Sequence, residues 1–256
     1  MSRPVRYPAV TLALPPAYYG SVGRYALIWG AGHASTAWDT LFDKRQKSAH
    51  RCVIADKQGT ATLTASIAKP HGITRATWAD VSLSDHGAWW RVHRSTLETA
   101  YGRTPFFEFY IDRLAPFLTD GVTDRYPTLR ALDDAIDATL RAILGLTPAP
   151  TAPLPGASPF ATPPSGGTQA PASTVAASEA AALPVPPPAL AAAENAAAAI
   201  PYWQVRAHTL GHIAGLSVLD LIFNLGPEAP LWLDRVAASP IMHNFFNTLQ
   251  SPHTHG

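Results

Sequence analysis

A long stretch of proline and alanine divides this sequence. From residue 147 to residue 190 it contains twelve prolines and one charged side chain, Glu179, among Ala, Ser, Thr and Gly. Such a composition cannot bury enough apolar surface to offset the entropy lost on ordering. We therefore expect residues 147–199 to form a disordered insertion, in which the closing alanine run forms only a frayed helix.

After the insertion the chain continues with "LSVLDLIFNLGP", an apolar helix too short to make a domain alone. It must complete a core built by the residues before the insertion. We expect one discontinuous domain from residues 1–146 and 200–236, followed by a C-terminal tail at 237–256. The hydrophobic fraction of 47% is enough for a sizeable core.

Strand and helix patterns alternate in the first part and predict an α/β, mixed α+β, fold. "YPAVTLALPP" is typical of a strand and "YYGSVGRYALIWG" of a short helix, while "RCVIADKQGTATLTASI" predicts a hairpin with "DKQG" as a four-residue loop. We expect further strands at "TRATWADVSLSD" and, near the end, at "APLWL".

Two later helices are predicted from the helical spacing of their apolar and aromatic residues. One face would carry His86, Trp90, His93, Leu97 and Tyr101, with Ser84 or Asp85 as the N-cap.

The second helix has an apolar stripe that begins at Leu129, a cap at Thr128 and a stop at Gly145. Asp133, Asp134 and Asp137 lie off that stripe and are expected to face solvent.

Charge and cysteine content limit the classes of partner. The formal charge is only +1, which gives no field to attract nucleic acid or anionic lipid. The single cysteine, Cys52, favours a reducing compartment, and no apolar run approaches a membrane span. We expect a cytoplasmic protein without a secretion signal.

A basic run, "KRQKSAHR", ends at Arg51 beside the hairpin, and the Arg51 fork suits a phosphate or carboxylate. His93 is the candidate general base, and His86 is the second choice. The other interpretation of His93 is a hydrogen-bonded core histidine.

Cys52, inside a strand, is interpreted as a small buried hydrophobe. No nucleotide-binding loop or metal motif is present, so the sequence specifies no cofactor.

The remaining candidates for substrate binding are polar or aromatic residues near chain turns. Tyr18 and Tyr19 follow a strand end, where α/β sheets commonly bind ligands. Gln204 lies where the chain re-enters the domain. Asp220 either completes a capping box with Ser217 or faces a ligand, and Asn224 either fixes the "GPEAP" turn or faces a site.

Four segments, in this order, resemble the WbqC-like protein family of bacterial surface-polysaccharide gene clusters: "LPPAYYGSVGRYALI", "RCVIADKQGTATLTASI", "DVSLSDHGAWWRVHRSTLETAYGRTPFFEFY" and "LSVLDLIFNLGP". The family usually has an Arg-Asn-Arg-like run before the hairpin, and this chain keeps Arg51 with His50 in place of Asn. It usually has Phe and Pro before the later Ser, where this chain has His212 and Ala214.

The resemblance implies a role in O-antigen or related polysaccharide biosynthesis. One hypothesis is a transferase-type enzyme that acts on a nucleotide-linked sugar or another small anionic substrate. The other is a non-catalytic protein that binds a polysaccharide precursor or a partner. A pocket that joins His93, Arg51 and Asn224 would favour the enzyme.

Overall fold

The computed structural model describes residues 7, 10–31, 33–70, 72–146, 183–185 and 187–250. Its strands are β1 (Thr11–Leu14), β2 (His33–Thr36), β3 (Arg51–Asp56), β4 (Gly59–Thr64), β5 (Ile67–Ala68), β6 (Ser82–Leu83) and β7 (Leu183–Pro184). Its helices are α1 (Val22–Ala31), α2 (Trp89–Tyr101), α3 (Phe107–Leu114), α4 (Val122–Arg125), α5 (Leu129–Leu144), α6 (Pro187–Ala198), α7 (Ala207–Leu210), α8 (Val218–Leu225), α9 (Ala229–Ala237) and α10 (Pro240–Gln250).

A small parallel sheet in the order β2-β1-β7 stands beside the central helix α1. Every residue of α1 is buried, because α6, α8 and α9 all pack against it. Helices buried on all sides need no polar face. With two antiparallel strand pairs, β3-β4 and β5-β6, the predicted mixed α+β class is confirmed.

The predicted hairpin forms, with a tighter turn than the sequence indicated. Asp56 pairs with Gly59, so only Lys57 and Gln58 make the loop instead of four residues. Gly59 has φ 127°, which only glycine adopts without strain.

Two predicted strands are largely wrong. Residues 78–80 form a 3₁₀ turn, closed by a capping box between Thr77 and Asp80, and only Ser82 and Leu83 are extended. The "APLWL" segment is the start of helix α9, whose apolar face includes the buried Trp232 and Leu233.

The predicted helix around His93 begins later than its apolar period suggested. Gly87 and Ala88 have positive φ, so His86 lies in a separate 3₁₀ turn and is exposed. His86 therefore does not share a face with His93. Neither predicted cap forms, because Ala88 is the N-cap of α2.

Helix α5 has the predicted Thr128 cap and a left-handed Gly145 at its end. Its carboxylates do not simply face solvent as we expected. Asp133 is buried, the Trp38 indole donates to Asp134, and Asp137 accepts from the Tyr25 hydroxyl and Arg141. The helix is packed on both sides, which its apolar stripe did not indicate.

The predicted insertion needs a correction at its end. Residues 147–182 lie outside the described part of the chain, but residues 187–198 form helix α6, whose Leu190, Ala193 and Ala197 are buried. The alanines of α6 and the glycine opposite them, Gly23, let α6 pack closely on α1. The predicted tail also includes a packed helix, α10, in which Met242 and Phe246 are buried.

In the described ranges no helix combines the length and apolarity that a bilayer crossing would need.

Candidate functional site

A cavity of about 460 Å³ opens where the chain leaves β1. Five segments enclose it: residues 15–21 after β1, α1, residues 43–53 leading into and including the start of β3, α6, and the turn before α8. Its volume lies in the range typical of small-molecule sites. The charged residues in its wall are Arg24, Asp43, Arg51 and Glu194.

Tyr18 and Tyr19, which follow the end of β1, both line this cavity, and their contact with a ligand stays a prediction. Tyr19 has a positive φ of 41°, an uncommon conformation for a bulky residue that often marks a functional turn. Burial raises the pKa of both phenols well above the usual value. Both therefore remain protonated and can donate hydrogen bonds at neutral pH.

His93 lies behind Tyr18. Its Nδ1 is 3.0 Å from the Tyr18 hydroxyl, and the ring also packs against Trp89. Burial lowers the pKa of His93 to about 4, against a smaller opposite effect of the Thr64 backbone. In the neutral tautomer that carries its proton at Nε2, Nδ1 accepts a hydrogen bond from the Tyr18 hydroxyl, so His93 reaches the cavity only through Tyr18.

Arg24 and Glu194 are residues that the sequence did not single out. Arg24 is 6% exposed and Glu194 is half-buried, and both border the cavity. The Ser21 hydroxyl accepts from the Arg24 backbone N–H and donates to Glu194 Oε2 at 2.9 Å. Burial raises the pKa of Glu194, and the nearby Arg24 charge partly offsets that effect.

A second, smaller pocket of about 200 Å³ adjoins the basic run. Its wall carries four permanent cations and no acidic residue; these cations are Lys44, Lys47, Arg51 and Lys69. None of the four forms an ion pair with a residue in the described ranges. We call it the basic pocket.

The basic pocket also has buried nitrogen atoms in its walls. His50 Nδ1 and Trp78 Nε1 are both inaccessible and have no hydrogen-bond partner among the described residues. Burial, with the charges of Arg51 and Lys47, lowers the pKa of His50 to about 4. His50 is therefore neutral near pH 7, and the positive charge comes from the lysines and Arg51.

Arg51 borders both the cavity and the basic pocket. It is exposed, at the first position of β3, so its guanidinium is free to meet a ligand. Cys52 follows it in the cavity wall as a buried thiol, as predicted. Burial raises the Cys52 pKa, which keeps the group a weak nucleophile.

Gln204, Asp220 and Asn224 lie together elsewhere. They border a space of only about 10 Å³, which is room for about one water molecule. The predicted capping box does not form, because Asp220 Oδ2 accepts from the Tyr202 hydroxyl at 2.6 Å and from Gln204 Nε2 at 3.1 Å.

The amide groups of this cluster bind backbone. Gln204 exchanges two hydrogen bonds with Ile213, and Asn224 accepts from the Val205 N–H at 2.9 Å. Asn224 thus fixes the segment before α7 and not the "GPEAP" turn. We assign the three side chains to holding residues 202–213 against α8.

The structure therefore brings Arg51, Tyr18, Tyr19 and, indirectly, His93 to one place, and it leaves His86 and Asn224 away from it. Sequence reasoning missed Arg24 because it lies inside an apolar helix, and Glu194 because it lies in an alanine run. A lone charge in an otherwise buried segment is the signal that could have found each of them. Among the described residues, no group of three His, Cys, Asp or Glu side chains is placed to hold a metal ion.

Comparison with known families agrees with the resemblance seen in the sequence. Residues 25–150 match the model of the WbqC-like protein family. That range includes Arg51 and His93, whereas Tyr18, Tyr19, Arg24 and α8 lie outside it. Comparisons with curated proteins and with solved structures give no significant match.

Proposed function

Residues 25–150 of this chain are WbqC-like, and from that premise we propose a transferase-type enzyme that acts on a nucleotide-linked sugar in the assembly of a bacterial surface polysaccharide. The observation that carries the proposal is the position of Arg51, which borders both the cavity and the basic pocket. One side chain can thus contact a ligand that extends across both spaces.

The two spaces differ in chemistry as the two parts of a nucleotide-linked sugar differ: the phosphates are charged and the sugar is neutral. The basic pocket offers Lys44, Lys47, Arg51 and Lys69 to the phosphates, and charge-assisted hydrogen bonds from cations are among the strongest polar contacts. The larger cavity is lined by tyrosine, serine and glutamine residues beside proline and alanine carbon, a mixed lining suited to a sugar ring.

The reacting group in this proposal is Tyr18, with His93 behind it. Tyr18 lines the cavity, and its hydroxyl lies 3.0 Å from His93 Nδ1. As the acceptor oxygen bonds to the sugar carbon and the bond from that carbon to the diphosphate breaks, Tyr18 accepts the acceptor's proton and passes its own to the neutral His93 imidazole. The nucleoside diphosphate leaves with its charge held by the basic pocket. His93 thus acts through Tyr18 and contacts no substrate.

Binding tests the first half of the proposal. Arg51→Lys keeps the charge and loses the bidentate fork, and one lost charge-assisted hydrogen bond of about 1.5 kcal/mol weakens binding roughly tenfold. We expect calorimetric titration with uridine or thymidine diphosphate glucose to show this loss. Arg45→Lys is the matched control, because Arg45 is in the same basic run but lines neither space. Equal affinities in the two variants would remove Arg51 from the site.

Measurements of turnover test the second half of the proposal, which is the proton relay through Tyr18 and His93. Tyr18→Phe and His93→Gln should each lower kcat by about 10²–10⁴-fold, the usual cost of losing general acid–base catalysis, with little change in affinity. If the two residues form one relay, the double variant loses no more than either single variant. Independent, multiplying losses would contradict the relay.

Binding without catalysis is the second candidate. It is favoured by the buried thiol of Cys52 and by the position of His93 behind Tyr18, which leave no activated nucleophile at the described cavity surface. In that case nucleotide sugars bind in the Arg51-dependent manner described above, but no acceptor is ever modified.

A further inference from the structure

Arg24 is a buried cation that faces an open cavity. It lies in the first turns of α1, is 6% exposed, and borders the 460 Å³ space. A buried charge costs free energy unless a partner compensates it. An arginine at such a position therefore requires an explanation.

No partner for the guanidinium exists within the described residues. Arg24 forms no ion pair there, and its side chain makes no hydrogen bond to a described residue, since the bond to Ser21 comes from its backbone N–H. Glu194 and Asp133 are near enough to act on it electrostatically, but neither is in ion-pair contact. The N–H donors of this side chain thus have no partner among the described residues, and the residue lines the cavity in which a ligand could supply one.

The surrounding chain is shaped around this side chain. A Cβ atom at Gly20 would lie 2.7 Å from Arg24 Cδ, so glycine at position 20 leaves room for the arginine. On the other side, Ser21 fixes the Glu194 carboxylate at the α1 N-terminus. The aliphatic part of the Arg24 side chain thus lies close beside Gly20, and the Glu194 carboxylate is held apart by its bond to Ser21.

The charges near Arg24 select among anions. Glu194 and Asp43 share the cavity wall and disfavour a ligand group with two negative charges, whereas the basic pocket, with four cations and no acid, suits phosphate. A single negative charge in a planar group matches one arginine fork. We propose that the cavity is a carboxylate site, in which Arg24 binds the carboxylate of an acidic sugar or of a separate carboxylic acid substrate.

The acidic-sugar form of this inference rests on the proposed function, and the experiment separates the two. Calorimetric titrations would use uridine diphosphate glucose, uridine diphosphate glucuronate and free glucuronate as probes. We expect the wild type to bind the nucleotide glucuronate at least tenfold more tightly than the nucleotide glucose. Arg24→Gln should remove that difference and leave the affinity for the nucleotide glucose within about twofold.

Two further variants allow the proposal to be tested even if Arg24→Gln does not fold. Glu194→Gln removes the opposing charge and should strengthen binding of the nucleotide glucuronate without affecting the nucleotide glucose. Arg103→Gln is the matched control, because Arg103 is exposed and lines neither space. Thermal melting of each variant identifies any that does not fold, and Arg24→Lys then replaces Arg24→Gln.

Each outcome has a distinct meaning. Equal wild-type affinity for the two nucleotide sugars, together with no binding of free glucuronate, overturns the carboxylate site and leaves the proposed function standing. Binding of free glucuronate that disappears in Arg24→Gln, without binding of either nucleotide sugar, supports the carboxylate site and contradicts the proposed function. A preference for glucuronate that persists in Arg24→Gln, or is unaffected by Glu194→Gln, places the carboxylate elsewhere and overturns the assignment.

Discussion

Asp133 shows how much a single residue can differ from its sequence pattern. Both carboxyl oxygens are inaccessible and have no hydrogen-bond partner among the described residues. Burial raises the Asp133 pKa well above the usual value, and the neighbouring Asp134 adds to the effect, while Arg24 opposes it. The folded protein therefore favours the protonated carboxyl, and the buried acid is a cost to stability at neutral pH.

We predict that Asp133→Asn stabilises the protein at pH 7. A raised folded pKa means that stability is fully present below the ordinary Asp pKa of about 4 and is lost as pH rises through the folded pKa. The asparagine variant lacks this loss, so its melting temperature should exceed that of wild type at pH 7 and approach it near pH 4. Denaturant unfolding at the two pH values measures the difference. A variant less stable than wild type at pH 7 would show that the Asp133 carboxylate has a favourable role.

Residue type and position predicted some of the site but not its interior. Arg51 and the two tyrosines were accessible to sequence reasoning because a basic run and a strand end are local features. Arg24 and Asp133 were not, because their roles depend on contacts between α1, α5 and α6, which are far apart in the chain. Periodicity places a side chain on a face, but only packing decides what that face meets.

At the scale of elements, α6 is the helix whose role the sequence concealed. An alanine run with little amphipathic character gives no indication of a partner, yet α6 covers α1 and forms one side of the cavity. Its small residues permit an approach so close that a Cβ at Gly23 would lie 2.1 Å from the Glu194 carbonyl oxygen. Glycine at position 23 is thus a requirement of this contact.

We therefore predict that Gly23→Ala is destabilising, although alanine favours helices. Alanine should gain about 1 kcal/mol from propensity, but the clash is with backbone and forces α6 away from α1. We expect a net loss of about 1–3 kcal/mol, the usual cost of overpacking, together with weaker ligand binding in the cavity. Ala192→Gly, at an exposed position of α6, is the control and should cost about 1 kcal/mol without changing ligand binding. A Gly23→Ala protein as stable as wild type would show that α6 is not held tightly.

The type of an element was predictable where the capping residues and the spacing of apolar residues indicated the same structure. Helix α5 has a side-chain cap, a long apolar stripe and a terminal glycine, and all three were correct. The 229–233 segment was misassigned because five mostly apolar residues have no distinguishable period, and the helix extends through residues that the pattern did not include. Short segments remain ambiguous until their partners are known.

At the scale of the whole molecule, the two parts of the chain share one core. The Val22 N–H donates to the Leu216 carbonyl at 2.9 Å, and the Ser217 N–H donates to the Val53 carbonyl at 2.7 Å. Phe107 packs on Phe223 with ring centroids 5.1 Å apart. Because α1 is covered mainly by helices from beyond residue 186, the first part cannot bury its own central helix.

This arrangement predicts different results for two deletions. Replacement of residues 147–182 by about twelve Gly and Ser residues shortens the connection roughly threefold, which changes the closure free energy by only about 1 kcal/mol. The shortened protein should therefore melt cooperatively within a few degrees of wild type and keep its ligand affinity. A chain that stops after Pro188 removes the cover of α1, and each large apolar side chain so exposed costs about 1.5–3 kcal/mol. It should give aggregated or molten material, whereas a sharp melt and dispersed amide resonances from residues 1–188 would show that the core does not depend on the later helices.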